Sequence, residues 1–335
     1  MPAPITDGRP IRWGILTAGG IAEKASTDIN LTAGNRVTAV AARDADRAAR
    51  FAAGHGAARS YGDYQSLVED DEVDVVYVAS THPHHRAQAL AAIAAGKSVL
   101  VEKPVCLNAA HAREVFAAAG AANVFSMEAM WTRLNPLILQ AQQLIADGAI
   151  GEVVGLRNEF GLGRPFDPKD RLYELANGGG ALLDLGVYPV TFAYLFLGPP
   201  DAVQTVGTLS PTGSDETVAM QWLYRGVPRA QLFTSASVSA PNTAAIYGTK
   251  GWIVVLPDAY RPSGLIVHND DGEYRIDDPL AGNGYGYQPE IEEVERCLRA
   301  GLTESPYVLH ADTVAILEML DAARAVVGVV YPDER

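Results

Sequence analysis

Residues 98–104, Ser-Val-Leu-Val-Glu-Lys-Pro, restrict the fold more than any other stretch of the chain. Val99-Leu100-Val101 is a short apolar, β-branched run, which suits a strand buried on both faces of a parallel sheet. It breaks straight into Glu102-Lys103-Pro104. Pro104 stops the strand and steers Lys103 to an extended conformation. Charges directly after a buried strand lie at the carboxyl edge of the sheet, where open α/β folds bind their ligands. Lys103 is therefore read as facing a bound cofactor and substrate. The plainer alternative is a surface salt bridge at a strand end.

The same alternation of strand and helix fills the first 130 residues. Ile11–Leu16 reads as a strand that runs into Thr17-Ala18-Gly19-Gly20-Ile21-Ala22 and then into a helix through Asn30. Strand, Gly-rich turn and helix is the context of a dinucleotide fingerprint. Gly19 lets the backbone approach a pyrophosphate seated on the helix N-terminus, and Ala22 is allowed at the third position. Thr17 departs from the first glycine position, and a β-branched residue resists positive φ. A second strand, Arg36–Ala42, leads to Arg43 where an acidic residue would hold a ribose 2′-hydroxyl; an Arg there suits a 2′-phosphate. Arg47, one helical turn on, joins it, which favours NADP over NAD. Asp44 competes for the ribose.

A helix is expected over Phe51–Ala58, and another over Asn108–Ala119, started by Asn108 and ended by Gly120. The strand Asp74–Ala79 ends in Ser80-Thr81-His82-Pro83-His84-His85, and an Ala-rich helix is expected from about Arg86 to Ala95. A metal at these histidines is rejected: no carboxylate or Cys shares the spacing, and a helix N-terminus repels cations. Ser80, Thr81, His82 and His85 suit a loop against the nicotinamide end of the cofactor. The strand Asn123–Met127 leads to Glu128-Ala-Met-Trp131-Thr-Arg133 on the same edge. Glu102, Trp131 and Arg133 are candidate cofactor contacts, and Trp131 also faces the substrate.

After Gly151 the pattern changes. Val153–Phe160, Val203–Leu209, Thr217–Tyr224, Arg229–Val238, Thr243–Tyr247 and Trp252–Leu256 read as strands with little helix between them, which implies a large, mostly antiparallel sheet. At 335 residues the chain exceeds one average core. The division expected is 1–130, dinucleotide-binding, and 131–335, substrate-binding and oligomerisation. In the second part, Gly178-Gly-Gly precedes an apolar helix with Asp184 and Tyr188 four apart, on one face. A carboxylate and a phenol placed so can orient a substrate hydroxyl and relay its proton; a helix-start Asp beside a core Tyr is the alternative. Phe160, Arg164 and Arg171 are further pocket candidates.

The net charge of −14 repels phosphate backbones, so nucleic acid is excluded as a partner. Cys106 and Cys297 are the only cysteines, which gives no disulfide framework and no metal spacing. The N-terminus lacks signal-peptide character, and no apolar run approaches the ~20 residues that span a bilayer. A cytoplasmic chain without a membrane partner is expected.

Together these features resemble the Gfo/Idh/MocA oxidoreductases, from about Ile11 to Val327. Glu102-Lys103-Pro104 and the Gly-rich helix with Asp184 carry most of the resemblance. Glu128–Arg133 and Gly178–Tyr188 are similar to the branch holding dihydrodiol dehydrogenase and NADP-linked D-xylose dehydrogenase, in which Tyr stands where inositol dehydrogenases have His. The resemblance implies an α/β fold: an N-terminal Rossmann doubly wound parallel sheet and a C-terminal α+β domain with a large open sheet. It implies hydride transfer between NADP (NAD as the alternative) and a carbinol carbon of a sugar or cyclic diol. Lys103 and Tyr188 would be the acid/base groups and Asp184 would orient the substrate, with Lys103, Trp131, Phe160, Arg171, Asp184 and Tyr188 lining its site. No metal is required. A homodimer, or a dimer of dimers, through the open sheet is implied as well. A catalytically silent NADP-binding redox sensor is the competing expectation.

Overall fold

Buried β-branched runs build the first sheet of the computed structural model, which describes residues 4–226 and 228–334. Its strands are β1 (Ile11–Leu16), β2 (Asn35–Ala41), β3 (Arg59–Tyr61), β4 (Val75–Val78), β5 (Ser98–Glu102) and β6 (Ser126–Ala129). They lie in the order β3-β2-β1-β4-β5-β6, and every pair is parallel. The four residues of β4 are fully buried, each worth about 1.5–3 kcal/mol against exposure. The strand order reverses between β1 and β4, the switch point outside which doubly wound sheets bind ligands.

Several helix starts differ from the sequence reading. Asp44 caps a helix over Ala45–Gly54, its carboxylate accepting the Arg47 N–H at 2.9 Å. The Ala-rich helix begins at His82, so His82–His85 form its first turn rather than a loop. Pro83 is the reason: the first turn has no N–H partner to lose. The helix capped by Asn108 runs through Gly120 to Ala122, where left-handed Asn123 ends it.

The chain divides into two compact units. One runs through Trp131 and takes in Gly282–Val314; the other is Thr132–Ala281 with Ala315 onward. Residues 282–314 join the first unit through specific polar contacts. The buried Asp28 carboxylate accepts the backbone N–H groups of Tyr285 (2.9 Å) and Tyr287 (2.8 Å). Asn35 donates to Glu295 at 2.6 Å, and Arg299 donates to the Arg9 carbonyl at 3.1 Å.

The second unit holds an eight-stranded sheet: β7 (Val153–Gly161), β8 (Ala202–Leu209), β9 (Asp215–Leu223), β10 (Arg229–Ser235), β11 (Ala244–Gly248), β12 (Trp252–Val255), β13 (Gly264–Asn269) and β14 (Gly272–Asp277). Its order is β14-β13-β12-β11-β7-β10-β9-β8, antiparallel except for β7 with β10. The hairpin β13–β14 adds two strands to the six read from sequence. One face covers the Val187–Leu197 helix, and the other is open.

Contrary to expectation, the helical stretch Leu175–Leu197 is long and apolar enough to cross a membrane by length and composition, with a mean hydropathy of 1.5. Of its most apolar 18-residue window, 78% is buried inside the structure, as in a core helix.

Candidate active site

At the end of β1, Thr17 adopts φ 79°, the conformation its side chain was expected to resist. Its hydroxyl donates to the Ala79 carbonyl at 2.7 Å and its N–H to the Ala41 carbonyl at 3.0 Å. These bonds tie the ends of β1, β2 and β4 together and offset the backbone cost, which is of order 1–3 kcal/mol. The Gly20–Leu31 helix then starts at Gly19 without a side-chain cap, leaving its first N–H groups available. A Cβ at Gly19 or Gly20 would meet nothing within 4 Å, so the backbone is open to an anion and the turn fits a pyrophosphate. Ala18 and Ile21 flank it. The Arg47 guanidinium donates to the Ala18 carbonyl at 2.6 and 3.0 Å, bracing the turn. Arg43 stands exposed beside it, while Asp44 is occupied as a helix cap.

Farther along the same edge, both ring nitrogens of fully buried His85 meet carbonyls, Pro104 at 2.9 Å and Ser80 at 3.0 Å. Burial holds its pKa down to about 3. The neutral ring has one N–H and donates to one of these two carbonyls, which lie at the end of β4 and in the turn after β5; His82 packs edge-on against it, 5.7 Å between ring centres. Thr81 is the helix N-cap residue. Glu102, 7% exposed, accepts from the Tyr77 hydroxyl and, at 3.1 Å, from the Lys103 N–H. Its carboxylate thus supports Lys103 from behind. The Lys103–Pro104 bond is cis. Buried Glu128 accepts the Val105 N–H at 3.0 Å and the Thr313 hydroxyl at 3.2 Å, fixing the following turn. Trp131 stacks on Tyr287, 4.6 Å between centres. Among the described residues, no group of three or more His, Cys, Asp or Glu gathers as a metal site.

Asp184 and Tyr188 belong to the second unit. The helix opens with a π-helical turn, Leu182–Gly186, followed by regular turns over Val187–Leu197; such turns recur at functional sites. The three glycines before it make that start sterically feasible. Gly178 is left-handed at φ 72°. A Cβ at Gly179 would sit 2.7 Å from the Arg171 carbonyl oxygen, and one at Gly180 would strike the Asp215 carboxylate. That carboxylate, fully buried, accepts the Leu182 N–H and so caps the π turn. Burial pushes its pKa up to about 6.

Asp184 is 3% exposed and Tyr188 8%. Arg171 pairs with Asp184 at 2.9 Å. Around the Tyr188 ring lie Phe160 at 5.6 Å and Tyr260 at 5.4 Å, themselves stacked 4.7 Å apart. Arg133 is buried in this unit; Arg164 is exposed and pairs with Asp170 at 3.0 Å. The structure thus gathers Asp184, Tyr188, Phe160 and Arg171 in one unit. Thr17–Ile21, Arg43, Arg47, Ser80–His85, Glu102, Lys103 and Trp131 share the carboxyl edge of the sheet in the other.

Sequence reasoning missed Tyr260, Asp215 and Asp28. Asp28 carried a signal: it interrupts the buried stripe Ala22, Ala25, Ile29 of its helix, and an acidic residue on an apolar stripe needs a partner. Tyr260 and Asp215 owe their positions to distant strands and had none.

Two family models match. Residues 11–129 match "Oxidoreductase family, NAD-binding Rossmann fold", and residues 138–254 match "GFO/IDH/MocA C-terminal domain". Among curated relatives, trans-1,2-dihydrobenzene-1,2-diol dehydrogenase of Xenopus tropicalis is 38% identical over 329 residues, covering 96% of this chain and 99% of the relative. That of Homo sapiens is 35% identical over 333 residues, covering 97% and 99%. A solved 3-ketoreductase from Actinomadura kijaniata, in complex with NADP and TDP-benzene, is 27% identical with a TM-score of 0.83 over 95% of this chain and 98% of its own. An aldose-aldose oxidoreductase from Caulobacter crescentus, 22% identical, shares the fold with a TM-score of 0.86, covering 95% of this chain and 98% of its own.

Proposed function

The chain belongs to the Gfo/Idh/MocA oxidoreductase family, and from that premise we propose that it oxidises a carbinol carbon of a cyclic trans-diol or a sugar, or reduces the matching carbonyl, using NADP. NAD is the weaker alternative. When bound, the nicotinamide supplies the hydride acceptor. Residues Thr17–Ile21 hold the pyrophosphate, and Arg43 takes the 2′-phosphate. Arg47 braces the turn. Trp131 and the Ser80–His85 turn border the nicotinamide end.

Lys103, Asp184 and Tyr188 are the groups we assign to the reacting hydroxyl. As the carbinol C–H leaves as hydride, the hydroxyl proton passes to the Tyr188 phenolate and C–O becomes C=O. Lys103 hydrogen-bonds the substrate oxygen and favours the phenolate by its charge. Asp184 orients the diol, and Phe160 packs against its ring. The observation that carries this reading is a buried Tyr188 one turn from a buried carboxylate, walled by aromatics. Likeness to dihydrodiol dehydrogenases over nearly the whole chain supports the substrate class.

The reading extends to assembly: a homodimer, or dimer of dimers, through the open face of the eight-stranded sheet. There Val206 is 70% exposed, and a depression of about 460 Å³ is lined by Arg157, Glu159, Gln204, Gln221 and Phe233. A reducing, cytoplasmic setting suits the two buried thiols.

The test is NADPH formation from trans-1,2-dihydrobenzene-1,2-diol, D-xylose and other aldoses. Turnover of at least one is expected, with Tyr188→Phe and Lys103→Ala each slowed by about 10²–10⁴-fold. NADP binding without turnover of any would return the chain to a silent cofactor-binding role. Wild-type turnover in both variants would remove these residues from the mechanism.

A further inference from the structure

Arg171 reaches Asp184 from a loop that the fold clamps in place. Asp170 accepts the Leu172 N–H at 2.9 Å and the Arg164 guanidinium at 3.0 Å. The Tyr173 hydroxyl donates to the Arg164 carbonyl at 2.8 Å, and Thr212 donates to the Tyr173 carbonyl. The backbone of Arg171 and Glu174 lies where the Gly179 side chain would be. So anchored, the guanidinium meets Asp184 at 2.9 Å; the carboxylate side chain is 5% exposed and the Arg 51%. Removing this partner takes a charge-assisted contact from a buried carboxylate.

The same positive charge acts on Tyr188. Near that phenol stand Asp184 on its own helix, Tyr260 from the turn after β12 and Phe160 from β7, with the Lys103 ammonium assigned to the same substrate hydroxyl. Tyr260 sits beside Asp258 and Arg261. Tyr331, which feels both Asp184 and Asp215, has the Arg324 guanidinium over its ring at 4.9 Å. Phe160 is uncharged and Arg261 acts on Tyr260, so Arg171 adds its charge to the Asp184–Tyr188 group alongside the Lys103 charge assigned above.

Resting on the reading of Tyr188 as the acid/base, we propose that Arg171 is a positioning residue, not a substrate contact: it fixes Asp184 and lends its charge to the phenolate of Tyr188. A cation beside a phenol stabilises the ionised form, and removing it moves the proton transfer to higher pH.

The test is the pH dependence of kcat and KM for the full chain with NADP and the substrate found above. Arg171→Met should lower kcat near neutral pH by at least about tenfold and move the rise of kcat with pH upward by about one unit, with KM changed less than about threefold. Arg171→Lys should keep the wild-type midpoint. In an Asp184→Asn background, Arg171→Met should cost less than in the wild type. If Arg171→Met does not fold, Asp184→Asn alone decides the electrostatic part, and its midpoint should move downward. A large rise in KM with unchanged kcat and an unchanged pH profile would make Arg171 a substrate contact and overturn the proposal. An inactive Tyr188→Phe alongside an unshifted Arg171→Met sinks this inference alone. A fully active Tyr188→Phe sinks the acid/base reading beneath it.

Discussion

Asp215→Asn isolates one ionisation in which burial outweighs the hydrogen bonds and the charge that favour the anion. The Asp215 carboxyl is fully buried, accepts the Leu182 N–H, and has a pKa pushed by burial from 3.8 up to about 6. In the unfolded chain it ionises near its ordinary value. Because the folded pKa is raised, its contribution to stability is fully present below about pH 4 and is lost as pH rises through about 6. A separation of about two units corresponds to about 3 kcal/mol, at 1.36 kcal/mol per unit. The Asn oxygen can still accept the Leu182 N–H. Its amide lacks a partner on the other side, where the second carboxylate oxygen has none, but that cost does not vary with pH. The variant should therefore gain about 3 kcal/mol on the wild type between about pH 4 and pH 7, whatever its absolute stability. Urea unfolding followed by circular dichroism and tryptophan fluorescence across that range measures the difference. Parallel wild-type and variant curves would show that Asp215 ionises as if in water, and the account of the π-turn cap would fail.

Other consequences are as direct. Arg43→Ala should weaken NADP binding by about 10- to 100-fold, the loss of one charge-assisted contact, and leave NAD binding unchanged in fluorescence titrations. Gly180→Ala places a Cβ against Asp215 at φ 142° and should destabilise the protein by more than about 1 kcal/mol in the same unfolding assay. Val206→Arg on the open sheet face should shift the protein to monomer in analytical ultracentrifugation if that face joins two copies, while its fold by circular dichroism stays intact.

The first sheet was legible because its strands are buried on both faces: Val75–Val78 and Val99–Val101 admit little else, and a polar break after each, Ser80-Thr81 and Glu102-Lys103, marks the ligand edge. Asp184 and Tyr188 were legible through their spacing and the glycines before them. What the glycines are for was not, since Arg171 and Asp215, the groups that crowd them, come from a loop and from a distant strand. The setting of the His85 ring was not legible, since nothing local says that two carbonyls enclose it. The β13–β14 hairpin did leave a mark: Leu265-Ile-Val, then Asn269-Asp-Asp-Gly272, is a strand followed by turn chemistry.

The return of residues 282–314 to the first unit bears on how the chain is made. Asp28 is synthesised early, yet the N–H groups that its carboxylate needs belong to Tyr285 and Tyr287. A nascent polypeptide halted near residue 130 would leave that anion facing apolar neighbours or water. The N-terminal half must therefore wait, incompletely closed, through the translation of some 150 further codons. A gene fragment cut at residue 130 should yield an unstable product; splicing the segment 282–314 back onto it restores the missing partners.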